Sequence, residues 1–288
     1  MNPRRIAPFI AVACAFALSR VPAAAQTPPQ TETSPKPSPA AAAVSDPCGS
    51  ILSIVNRPTV TTAVCTVRPR HFLLETGYTN TVTTGAGGGN TASYPQAYLR
   101  FGTSDPHLEF EATPPSMERT SLGNAIVTGS SDVNLGFKSE LGYSLRWLYG
   151  VNAVATFPTG SRAFSAGNAQ FTGNFNWSYA VNSVVGVSGT LGFNSLAGPN
   201  GAGAAQSYFA FIPSVEVTAV LPGPSEVFGE YAYFSQAGVG LGSKTLFDFG
   251  YVHDLGQRVQ LDAEYGFSPT LLSGQRQHYA GAGASFLF

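Results

Sequence analysis

The sequence predicts an all-β fold, a transmembrane antiparallel barrel of about twelve strands, on three observations. Charged residues make up only 11% of the 288-residue chain, against 12% aromatics and 32 glycines, whereas a soluble domain carries roughly one quarter charged residues. After residue 25 there is no unbroken apolar run of the ~18 residues that a membrane-spanning helix needs, so strands must do any crossing. From Arg70 to Phe288 the chain alternates polar and apolar positions in short stretches separated by Gly, Asn, Pro and Ser clusters. That is the pattern of strands with lipid on one side and a wet or polar interior on the other. The formal net charge of −1, with no basic block, gives no electrostatic footprint for nucleic acid.

Ahead of the barrel, Arg4 and Arg5 precede an apolar stretch from Ile6 to Leu18, and Ala23-Ala24-Ala25 offers a small-residue cleavage site. Residues 1–25 are therefore expected to be a signal peptide that exports the chain toward the bacterial outer membrane. Residues 26–47 are rich in Pro, Thr, Ser and Ala and bury too little apolar surface to fold, so a disordered periplasmic linker is expected. Cys48 and Cys65 bracket a short segment, and export makes a disulfide between them plausible. Residues 48–69 then read as a periplasmic, disulfide-closed segment. Metal or redox chemistry is the alternative, but no His lies between the cysteines and no metal is expected.

Within 70–288 the alternation places strands near 70–81, 92–102, 107–114, 131–141, 145–157, 169–181, 184–196, 206–220, 226–236, 244–254, 257–267 and 276–288. In SDVNLGFKSEL, for example, Val133, Leu135, Phe137 and Leu141 share one face, while Asp132, Asn134, Lys138 and Glu140 share the other. Connections alternate between tight (TSDP, GYS, NS, LPGPS, DLGQ) and long, as an even-stranded barrel with both ends on the periplasmic side requires. The stretch from Pro115 to Ser130 is expected to be one of the long extracellular loops. The last strand, HYAGAGASFLF, ends on Phe288 with Phe286 on the same face. It resembles the signal by which the barrel-assembly machinery recognises its clients, with small Ala where bulkier residues are common.

Alternation turns Glu75, Glu109, Glu111, Asp132, Glu140, Glu230, Asp248, Asp262 and Glu264 inward, against Arg100, Lys138 and Arg146. These are the candidate lumen-lining, selectivity-setting residues, and their balance predicts an acidic interior. Charges at membrane depth must face water or pair across strands, so the expectation is either a wet, cation-leaning channel or a narrow barrel filled by side chains. Trp147, Tyr149, Trp177, Tyr179, Tyr231, Tyr233 and Tyr251 fall mostly on the outward face and read as interfacial girdles rather than a ligand-stacking box. No catalytic set emerges. His253 and Asp254 are adjacent on a strand and point to opposite faces, and the glycine-rich stretches lack the Lys-Ser/Thr of a phosphate loop. No cofactor is expected.

The succession SDVNLGFKSEL, VNAVATFPTGS, EVFGEYAYFS, FDFGYVHDLGQRVQLDAEYGFSP and YAGAGASFLF resembles the meta-pathway phenol-degradation family of outer-membrane transporters, over about Phe72 to Phe288. The resemblance implies a barrel that passes small, aromatic or otherwise hydrophobic compounds across the outer membrane, with lipid around it. It carries over no site residues. The sequence thus predicts a passive channel, with a structural or adhesive barrel as the alternative and an outer-membrane hydrolase third. The alternation of connection lengths generates a topological prediction: a cysteine at Thr128 reacts with an impermeant thiol reagent in intact cells, and one at Gly256 does not. Labelling at Gly256 alone would invert the orientation.

Overall fold

A computed structural model describes residues 46–85, 88–200, 203–269 and 274–288. The expected signal peptide, and the expected linker up to residue 45, lie outside the described residues. Fifteen strand segments form one sheet that closes on itself through antiparallel pairing of β1 (Phe72–Thr84) with β15 (Arg276–Leu287). Nine staves are single segments: β1, β8 (Trp147–Phe157), β9 (Gln170–Ala180), β10 (Val185–Pro199), β11 (Ala205–Leu221), β12 (Ser225–Phe234), β13 (Lys244–Asp254), β14 (Val259–Ser268) and β15. The other three are each broken into two halves: β2 (Gly89–Tyr94) with β3 (Tyr98–Gly102), β4 (Leu108–Thr113) with β5 (Met117–Leu122), and β6 (Ala125–Ser130) with β7 (Val133–Tyr143). The barrel therefore has twelve staves, as the alternation predicts.

The breaks have local causes. Pro95 interrupts the second stave and Pro114-Pro115 the third, because proline has no N–H to give to a ladder. The fourth stave breaks at Ser131-Asp132, where the Ser131 N–H donates to the Ser116 carbonyl at 3.0 Å. Beyond these breaks the pairing resumes, β2 with β5 and β5 with β6. The stretch from Pro115 to Ser130 is consequently a strand hairpin rather than the expected loop. It turns through Gly123, whose φ of +58° suits glycine. The unpaired edge of β2 supplies the hydrogen-bond partners that the short, weakly alternating MERTSL and AIVTGS lack alone.

Short turns gather at the end of the barrel where β1 begins and β15 finishes, here the turn end, and longer connections gather at the loop end. The outward face is apolar: Phe110 is 59% exposed, Phe137 47%, Phe171 60% and Leu141 60%, a surface that suits hydrocarbon. Trp147 lies 5.7 Å from Tyr149 and 4.5 Å from Tyr179, ring centroid to centroid, which forms part of an outward aromatic girdle near the turn end. Phe288 stacks on Phe72 at 5.6 Å across the closing seam. Phe286 faces outward beside it, while Tyr279 points inward and donates to Asp248 at 2.8 Å.

The segment expected to sit apart in the periplasm lies inside the barrel. It enters from the turn end, and Ser50 caps a single helical turn, α1 (Ile51–Ile54). The chain then reverses and returns to β1, with Cys48 and Cys65 joined at the base of the loop. Ile51, Ile54, Val55, Val64 and Val67 pack with the disulfide against Leu73 and Leu148, which the wall turns inward. The main apolar core of the described residues is therefore in the lumen, because the outer surface already has lipid to cover it. Closing a loop of this length contributes about 3 kcal/mol in the chain-entropy account. Mass spectrometry of unreduced protein should find no free thiol at Cys48 or Cys65, and two free thiols would contradict the bridge.

Candidate functional site

The inward face of the wall is where the sequence places it, but Glu75, Arg100, Glu109, Lys138, Glu230 and Asp262 are engaged by the inserted segment. Glu75 on β1 accepts the backbone N–H groups of Asn56 (3.0 Å) and Arg57 (2.9 Å) with one oxygen, while its other oxygen meets Arg100 at 3.1 Å. Glu230 on β12 accepts from Val60 at 2.8 Å and from Thr61 at 2.5 Å. Glu109 on β4 accepts from Val67 at 2.6 Å. Arg100 on β3 works in the opposite sense, donating to the Ile54 carbonyl, to the Cys65 carbonyl at 2.9 Å and to Glu109 at 2.8 Å. Lys138 on β7 donates to the Asn56 side chain at 3.0 Å and stands 3.6 Å from both Glu109 and Glu111. A loop without regular structure has orphan backbone groups, and the wall charges satisfy them.

The remaining candidates divide by height along the barrel. Asp262 on β14 holds the Arg57 guanidinium at 3.3 and 3.4 Å, and Gln96 accepts from the same group at 3.1 Å. Gly77 and Gly283 are paired across the closing seam, and a Cβ at either would collide with the Arg57 side chain. The bare backbone of the seam is thus the surface on which Arg57 lies. Asp248 is fully buried, accepts from Tyr279 and pairs in register with Glu230. Asp132 accepts the N–H groups of Gly160 (2.8 Å) and Ala166 (2.9 Å), so it pins the connection between β8 and β9 inward at the loop end. Glu140 is buried near the turn end, 3.5 Å from His107. Arg146 is a correction: it sits exposed in the turn between β7 and β8 and donates to the Tyr179 hydroxyl at 3.3 Å. That turn lies outside the lumen, where strand alternation no longer applies.

Two cavities lie beside the segment. The upper one, of about 1310 Å³, lies toward the loop end; its wall includes Thr79, Ser93, Gln96, Asn134, Arg162, Lys244, Glu264 and Tyr279, with residues 56–60 of the segment at its base. The lower one, of about 280 Å³, lies between the segment and the far wall and includes Ser178, Ser188, Glu216, Thr218, Glu226 and Gln260. Glu216 and Glu226 are absent from the sequence-derived set of lumen residues. The alternation VEV around Glu216 was the signal for the first; the second lies one residue into its strand, where a face is hard to assign.

Among the described residues, the His253 and Asp254 pair does not converge on one site. Asp254 accepts from Gln260 at 3.1 Å, whereas His253, on the opposite face, bonds Ser225 at 2.8 Å beneath Tyr251. The serine-histidine contact therefore has no carboxylate orienting the ring and is covered by an aromatic side chain, unlike a working nucleophile and base.

A closed barrel with an apolar outer belt, an aromatic girdle and a polar interior defines a bacterial outer-membrane β-barrel protein. The chain belongs to the family described as "Putative MetA-pathway of phenol degradation", which matches residues 55–288. Among solved structures it is similar to a COG4313 outer membrane channel from Pseudomonas putida F1, with 11% identity over 78% of this chain and 98% of that one at a TM-score of 0.60. It is also similar to the NanC porin, with 9% identity over 73% of this chain and 98% of that one at a TM-score of 0.50. At these identities the likeness is one of fold. No curated protein sequence matches.

The carboxylate contacts generate a prediction. In Glu230→Ala the N–H groups of Val60 and Thr61 lose their acceptors, a loss of about 1–3 kcal/mol for hydrogen bonds to a charged group. Hydrogen exchange at these two amides should quicken by roughly 10- to 100-fold, with the barrel amides unchanged. Equal exchange in the variant and the native protein would show that the segment is held by its apolar packing alone.

Proposed function

We propose that the protein is a passive outer-membrane channel for small solutes, including hydroxylated aromatic compounds. The observation that carries this reading is the upper cavity of about 1310 Å³, large enough to hold a small organic molecule and lined by hydroxyl, amide and charged groups. Those groups suit a solute that has polar edges as well as an apolar body. The NanC porin and the COG4313 channel share the architecture, and membership of a phenol-degradation family favours small organic cargo.

Several further elements belong to the same reading. Residues 1–25 direct export, and residues 26–47 link to the lumen segment from the periplasmic side. The Phe286 and Phe288 strand is recognised by the barrel-assembly machinery. Among the inward charges, Glu264 with Arg162 and Lys244 lines the upper cavity, and Glu216 with Glu226 lines the lower. The others hold the segment, one another or the inward connection. An acidic lower cavity gives a cation preference, because low-dielectric walls concentrate the field of fixed carboxylates.

The segment inside the lumen gives weight to one second reading, a barrel whose interior is filled for structural reasons. Conductance separates the two. Purified full-length protein in a planar bilayer should show discrete conductance steps, with a reversal potential under a salt gradient that favours cations. Folded protein with no conductance would support the filled barrel, and anion preference would overturn the role given to Glu216 and Glu226.

A further inference from the structure

The upper and lower cavities have three lining residues in common, Arg57, Pro58 and Thr59. Among the described residues this strip of the segment is all that they share, so it stands where the two chambers adjoin. The inward face of β14 marks the same height independently. Gln260 lines the lower cavity, Glu264 lines the upper one, and Asp262 between them lines neither and instead grips Arg57.

We infer that Arg57 is a specificity-determining residue of the channel, a cationic barrier standing between the two chambers and opposed to the carboxylates Glu216 and Glu226 of the lower one. The inference rests on the channel reading above. Three features support it. The guanidinium is fixed by Asp262 and Gln96 and lies over Gly77 and Gly283, so its charge is held at one height rather than spread over a mobile side chain. Its side chain is 13% exposed while that of Asp262 is fully buried, so a passing solute meets the cation and not its counter-ion. Pro58 and Thr59 follow it along the strip, leaving Arg57 as the strip's only charged group.

A fixed charge in a low-dielectric passage shifts the balance of the ions that pass. Arg57 therefore opposes the pull of Glu216 and Glu226. It admits neutral molecules and those with an electron-rich edge, such as a phenolic oxygen, which a guanidinium can contact in passing.

The test uses full-length protein in planar bilayers under a salt gradient, with folding checked by heat-modifiable mobility. In Arg57→Gln the cation-to-anion permeability ratio should rise about twofold or more and the conductance should increase, since a charged barrier has been removed. In Arg57→Lys the charge stays and the ratio should remain near the native value. A second variant, Gln96→Ala, loosens the guanidinium without removing its charge; it should raise conductance at an unchanged ratio, and it remains informative where Arg57→Gln does not fold. A native channel that conducts, with Arg57→Gln showing the same ratio or a shift toward anions, overturns the role of Arg57 alone. Folded native protein and variants that all fail to conduct overturn the channel reading itself.

Discussion

Backbone polar groups brought inside a membrane-spanning cylinder must find partners there, and in this protein the wall carboxylates provide them. The inserted segment makes only one helical turn, so most of its N–H groups have no partner of their own. Glu75, Glu109 and Glu230 each accept from it, on three different staves. Arg100 completes the arrangement by donating to two segment carbonyls while neutralising Glu75 and Glu109. The same contacts solve the problem from the other side. A buried carboxylate without partners is costly, and the segment with its attendant cations makes these positions tolerable. Removing either component would leave the other unsatisfied, so wall and segment form one folding unit.

The strand architecture was legible because alternation has a physical cause that each stave obeys separately. RVQLDAEYGF reads with Val259, Leu261 and Tyr265 outward and Gln260, Asp262 and Glu264 inward, and the structure agrees along the whole strand. The hairpin formed by β5 and β6 was not legible, since its two short halves owe their form to pairing with β2 rather than to their own pattern. The inserted segment was hidden for a different reason. ILSIVNRPTVTTAV has neither helical nor strand periodicity, and its conformation depends on acceptors that are distant in sequence. The inward face carries several buried apolar residues, Leu73, Leu148, Phe228, Leu246 and Val252 among them. Leu73 and Leu148 find their partner in the segment's Ile51, Ile54, Val64 and Val67.

This division changes how charge on an inward face should be read. Counting carboxylates along the wall treats each one as a contributor to the potential that a solute meets. Glu75, Glu109 and Glu230 are instead spent on hydrogen bonds to the segment, and Asp132 on the connection between β8 and β9. A carboxylate that faces a cavity influences passage; one that accepts two backbone N–H groups mainly fixes the shape of the path. Sequence alternation identifies both kinds and cannot separate them, because the distinction lies in what occupies the lumen.

The wall and the segment accordingly have different tasks. The wall is a twelve-stave cylinder whose diameter and outer surface follow from strand number and lipid, constraints shared by barrels of the same size. The segment divides the interior into a large chamber toward the loop end and a small one toward the turn end, and among the described residues it alone supplies those common to both. The seam between β1 and β15 is shaped to receive it: Gly77 and Gly283 leave room for Arg57, while the alanines of AGAGA face outward on the same strand. The small residues of the last strand are therefore explained by the segment as well as by closure of the barrel. Of that strand's inward glycines, Gly283 accommodates a side chain that comes from outside the barrel sequence altogether, while Gly281 leaves room for Glu264 of the neighbouring strand.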